Sequence, residues 1–98
     1  MFVLAAVAGG IVVNPAAAAN YGNTVHRCYG IWWNTDWNQE CQGGGAESTG
    51  HYDSTADCTA PQIPDKYVNA YRTAGSTTSY DGPDCKYGIH SVGTSFWQ

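Results

Sequence analysis

Between Cys28 and Cys41 the chain reads CYGIWWNTDWNQEC, with Trp32, Trp33 and Trp37 packed into six positions and Asn34, Thr35 and Asp36 set among them. Indole rings carry a large apolar face and one N–H donor, so their chemistry is recognition rather than catalysis. An exposed Trp beside polar Asn and Asp suits the face of a sugar or the cleft of an enzyme that processes sugars. Trp32, Trp33, Trp37, Asn34 and Asp36 are therefore the expected binding residues.

Other chemistry is poorly supplied. The acidic pairs Asp53/Asp57 and Asp81/Asp84 lack the ligand run and distal Glu of a calcium loop, and Asp81-Gly82-Pro83-Asp84 reads as a turn leading into Cys85. His26, His51 and His90 have no ligand spacing, and no Cys-x-x-Cys pair is present, so no metal site is expected. The glycines of QGGGAESTG at 42–50 lack the following helix and nearby Lys of a phosphate cradle and read as a loop. So small a domain offers little concave surface for preorganised catalysis. No enzymatic activity and no cofactor are expected. Four basic residues are scattered singly in a chain of net charge −4, which excludes a nucleic-acid stripe and a cationic membrane-active peptide.

The elements that must hold these residues begin after an unlike segment. Residues 1–19, MFVLAAVAGGIVVNPAAAA, carry no charged side chain. The apolar run Phe2–Val13 has the length of a signal-peptide core and falls short of the ~20 residues of a membrane span. Ala17 and Ala19 are the small residues a signal peptidase reads, so cleavage is expected after Ala19. Residues 20–98 then form a single secreted, extracellular domain, expected to be a monomer with no membrane association. Its four cysteines, Cys28, Cys41, Cys58 and Cys85, read as two disulfides.

This part has only Val25, Ile31, Ile63, Val68, Ile89 and Val92 as aliphatic side chains beyond alanine, against four Trp, seven Tyr and Phe96. Burial is therefore expected to come from aromatic rings, with the disulfides carrying an unusual share of the stability. Short β-favouring runs at 24–33, 37–41, 50–55, 66–72 and 86–97 lie between Gly-rich and polar breaks. They predict an all-β domain of five or six short strands, a small disulfide-stapled sandwich or open barrel. The segment 64–73 has features of a helix start, but Tyr67, Val68 and Tyr71 favour a strand with Val68 and Ala70 inward and Tyr67, Asn69 and Tyr71 outward.

Asn34-Thr35-Asp36 is the natural turn of a hairpin. A three-residue loop there sets Trp33 opposite Trp37, and a Cys28–Cys41 bridge would clamp the base. Strand alternation then gives Ile31, Trp33 and Trp37 one face and Trp32 the other. At least one of these three Trp is expected to be exposed.

The order of the four cysteines, the Trp-rich turn between the first two and the Pro-containing stretch CTAPQIPDKYVNAY after the third resemble the tendamistat-type proteinaceous α-amylase inhibitors. The pattern is also similar to a wider group of small secreted four-cysteine actinobacterial proteins, some encoded near natural-product clusters. The first resemblance implies a six-stranded β-sandwich with Cys28–Cys41 and Cys58–Cys85 bridges. It also implies an aromatic turn that enters the active-site cleft of an amylase. Trp32, Trp33 and Trp37 fall at that place, without the family's Arg and with Asp36 where a basic residue is expected. Two functions follow as expectations: a non-enzymatic inhibitor of a secreted glycoside hydrolase, or a secreted glycan-binding or adaptor module.

Overall fold

The computed structural model describes residues 18–59 and 63–98. The expected leader, 1–19, lies outside these residues except for its last two positions. The described chain is all-β, without a helix, and folds as seven strands: β1 (Asn20–Val25), β2 (Cys28–Trp33), β3 (Asp36–Cys41), β4 (Gly50–Cys58), β5 (Lys66–Arg72), β6 (Tyr80–Gly82) and β7 (Ile89–Trp97). The expected sandwich is present, with more strands than the five or six anticipated. The run 24–33 is broken by a tight His26-Arg27 turn, which makes β1 a separate strand. The three-residue β6 is too short to leave a pattern in sequence.

The strands form two antiparallel sheets, ordered β1-β2-β3-β6 and β5-β4-β7. The disulfides are Cys28–Cys41 and Cys58–Cys85, with no free cysteine. The first joins directly opposed residues of β2 and β3. The second ties the end of β4 to the segment between β6 and β7. Two disulfides in so small a domain are compatible with an extracellular protein.

Period-2 alternation explains which side chains meet between the sheets. Along β4, Tyr52, Ser54, Ala56 and Cys58 are buried; along β5, Val68, Ala70 and Arg72 are. The strand reading of 64–73 thus holds, with Tyr67 and Tyr71 outward at 56% and 59% exposure. From the first sheet, Cys28, Trp37 and Gln39 are fully buried. Gly82 on β6 pairs with Trp37 on β3, and a side chain there would strike the indole ring. Glycine is needed at 82 for space.

The interior departs from the aromatic core expected. Among the described residues only Trp37 and Tyr52 are aromatic and fully buried, while Tyr21, Tyr67, Tyr71, Tyr87 and Trp97 are exposed. A polar network fills the difference. The Arg72 guanidinium donates to Gln39 Oε1 (3.0 Å), to the Gln39 carbonyl (3.3 Å), to the Thr78 carbonyl (2.7 Å) and to Ser76 Oγ (3.3 Å). It also lies 4.7 Å from the centre of the Tyr80 ring. Gln39 Nε2 donates in turn to the Tyr52 carbonyl (3.0 Å) and Ser54 Oγ (2.8 Å), and Ser54 Oγ meets Thr94 Oγ1 at 2.8 Å. No buried side-chain polar atom among the described residues is left without a partner, which is the condition for such a network to be tolerated. Burial lowers the Arg72 pKa and the Tyr80 and Tyr52 hydroxyls oppose that shift.

β1 closes one side of the sandwich. Its pairing with β2 is interrupted between Tyr21 and Thr24. There the Asn23 carboxamide donates to the Thr94 carbonyl (2.8 Å) and accepts from the Thr94 N–H (2.9 Å). One side chain so satisfies the free edge of β7 as a neighbouring peptide group would. Gly22 permits the approach, since a side chain there would collide with the Val92 carbonyl.

Candidate functional site

The β2–β3 hairpin differs from expectation by one residue of register. Trp33 pairs with Asp36 and Trp32 with Trp37, so the connecting loop is the two residues Asn34-Thr35. Asn34 takes a φ of 30°, a left-handed conformation that Asn tolerates better than most side chains. Asp36, expected in the turn, is the first residue of β3. A one-residue slip exchanges the faces of every side chain on a strand. Trp37 therefore shares its face with Trp32, and the expected pairing of Trp33 with Trp37 is overturned.

This face points inward. Trp37 is completely buried, its Nε1 donating to the Pro83 carbonyl at 2.7 Å. It is a core residue and offers no contact surface. Trp32 is half-buried and packs against the core cluster around Trp37, Ala56 and Val92. Trp33 is half-buried on the outward side of the first sheet, and Asn34 and Asp36 are exposed. The structure thus brings together Trp33, Asn34 and Asp36 at a hairpin tip and removes Trp37 from it. The tip is pinned, because the Thr35 carbonyl accepts from the Cys85 N–H at 3.0 Å.

Contrary to expectation, none of Trp32, Trp33 and Trp37 is among the exposed residues; the exposed tryptophan is Trp97, at 53%. It stands on the outer face of β5-β4-β7, where the register aligns Tyr71, His51 and Trp97 in a row across the three strands. The His51 imidazole stacks on the Trp97 indole, with centroids 3.8 Å apart and planes inclined by 9°; Tyr71 meets the other side of His51 edge-on at 5.0 Å. Trp97 Nε1 donates to Asp53 Oδ2 at 2.6 Å. The indole is thereby fixed by a stacked ring and a charge-assisted hydrogen bond. Tyr67 adds a fourth ring on the same face, four residues away along β5, or roughly 14 Å.

Beside this platform the same face carries a trough of about 390 Å³ lined by Asn23, Asp53, Thr55, Asp57, Ser91, Gly93, Thr94 and Ser95. Asp53 belongs to both features. A smaller recess of about 270 Å³ on the first sheet is lined by Tyr21, Thr24, Tyr29 and Gln42. Burial, then the neighbouring Glu40 and Tyr21, raise the Tyr29 pKa there. Among the described residues no group of three or more His, Cys, Asp or Glu side chains is placed to hold a metal ion.

None of Trp97, His51, Tyr71 and Asp53 belongs to the Trp-rich stretch. The available signal was parity: in SVGTSFW, Val92, Thr94 and Phe96 alternate with Ser91, Gly93, Ser95 and Trp97, so the terminal Trp shares a face with the smallest residues. No protein-family model matches this chain, and no curated protein or solved structure matches it.

Proposed function

We propose that the protein is a secreted, non-enzymatic glycan-binding module that receives its ligand on the outer face of β5-β4-β7. The observation that carries this reading is the fixed aromatic row of Tyr71, His51 and Trp97 with Asp53 beside it. Pyranose rings present patches of C–H groups bordered by hydroxyls. A rigid indole face with a carboxylate acceptor alongside complements both. Because the row is held before a ligand arrives, little side-chain entropy is lost on binding. Affinity electrophoresis through gels containing soluble polysaccharides tests it. A retarded wild-type protein and a Trp97→Ala variant weakened roughly thirtyfold are expected, the size of an interface anchor worth about 2 kcal/mol. Equal mobility of both proteins in every polysaccharide gel contradicts it.

A second reading rests on the pinned hairpin tip and on the resemblance to tendamistat-type inhibitors: a protein that seats Trp33, Asn34 and Asp36 in the cleft of an α-amylase-like hydrolase. The Cys28–Cys41 bridge and the Thr35–Cys85 hydrogen bond favour it, since a rigid loop docks at low entropic cost. Inhibition at micromolar protein across a panel of amylases supports this reading, and its absence removes it.

A further inference from the structure

The trough beside the aromatic row has a composition that narrows the ligand. Its floor follows the outward residues of β7, Ser95, Gly93 and Ser91, which are all small. At Gly93 a side-chain carbon would meet nothing nearer than Asn23 Oδ1 at 3.7 Å, so the space above it is open. Asn23 of β1 stands on one side, and β4 contributes Asp53, Thr55 and Asp57 on the other. From the Trp97–His51 pair to the Ser91–Asp57 pair is six residues along the strands, roughly 20 Å. That length accommodates several sugar rings in an extended chain.

The charge on this face has one sign. The outward positions are Tyr67, Asn69 and Tyr71 on β5, His51, Asp53, Thr55 and Asp57 on β4, and Ser91, Gly93, Ser95 and Trp97 on β7. They include two carboxylates and no Lys or Arg. Lys66 has the inward parity of Val68, and Arg72 is buried. The one ion-pair contact among the described residues, His26 with Glu47, lies elsewhere, so Asp53 and Asp57 have no cationic partner of their own. Asp53 has Oδ2 engaged by the Trp97 indole, and Asp57 is exposed. Of the remaining lining groups, Thr94 Oγ1 is bonded to Ser54 and the Asn23 carboxamide to the Thr94 peptide, so the hydroxyls of Thr55, Ser91 and Ser95 are the ones that match sugar hydroxyls in both donor and acceptor roles.

We propose that the trough binds a linear glycan bearing free amino groups, with the rings laid on the Trp97–His51 platform and along Gly93 and the ammonium groups set against Asp53 and Asp57. This rests on the glycan-binding reading and adds the ligand's chemical class. Uronic or sulfated glycans are disfavoured by the same two carboxylates, since like charges repel across a shared contact.

Calorimetric titration of the full protein with β-1,4-linked glucosamine oligomers and with fully N-acetylated oligomers of equal length tests the proposal. The expected result is tighter binding of the free-amine oligomer, by up to about fivefold per carboxylate at low salt and less as salt is raised. Asp57→Asn is expected to reduce that preference for the free-amine oligomer. Gly93→Val, which fills the trough, is expected to weaken both. Equal or tighter binding of the acetylated oligomer overturns the amine assignment while leaving glycan binding in place. Absence of binding to either overturns both. Equally tight binding of polylysine shows a trough that responds to charge alone, and also overturns the proposal.

Discussion

Trp37 and Trp97 show how one residue type serves two purposes in this chain. Trp37 has no exposed surface, and its indole N–H is satisfied by the Pro83 carbonyl. Replacing it with Ala opens a large cavity beside Gly82 and Val92, and the expected cost is about 3–5 kcal/mol. Denaturant titration measures this. The same substitution at Trp97 is expected to change stability by no more than about 1 kcal/mol while removing the proposed ligand platform. Neither role follows from residue type. The Trp-rich stretch concentrates large apolar side chains as a binding surface would, yet concentration of rings is also what a core short of Leu and Ile requires. Arg72 was the residue least legible in sequence. A charge at an inward strand position contradicts the usual pattern, and only its partners Gln39, Ser76 and Thr78 make it tolerable.

At the scale of elements, alternation was legible and register was not. Lys66–Arg72 could be read as a strand with the correct inward and outward sets, because its apolar positions recur with period two. The β2–β3 hairpin has apolar residues on both faces, Ile31 and Trp33 against Trp32 and Trp37, so hydrophobicity does not choose between a two- and a three-residue loop. The choice falls to backbone geometry, where Asn34 accepts a positive φ and directly opposed Cys28 and Cys41 close the ladder. β1 is held partly by a side chain rather than by a complete ladder. Asn23→Ala removes both hydrogen bonds to Thr94 and leaves those peptide groups needing solvent. A loss of about 1–3 kcal/mol is expected. Faster amide exchange at Thr94, with little change in the middle of β4, would locate the effect at that edge. Unchanged exchange at Thr94 would show that the clip is not what protects it.

For the whole molecule, the aliphatic deficit remains decisive even though fewer rings are buried than expected. The core consists of small side chains, two buried aromatics, cystines and a polar network. Each disulfide loop is worth about 3 kcal/mol in chain entropy, and the pair matches much of the ~5–15 kcal/mol typical of a domain. Reduction is therefore expected to abolish the near-UV circular dichroism of the tryptophans and to unfold the chain. Retention of that signal after complete reduction contradicts this. The two outer faces then have different fates. One ends in the pinned Trp33–Asp36 tip, the other carries the aromatic row and its trough, and the proposed glycan binding takes place on the second. Backbone amide shifts in an NMR titration with a soluble oligosaccharide, chosen from the gels that retard the protein, distinguish the faces directly. The expected perturbations cluster at His51, Asp53, Tyr71, Gly93 and Trp97. Perturbations confined to Trp33, Asn34 and Asp36, with the β5-β4-β7 face silent, would contradict the assignment.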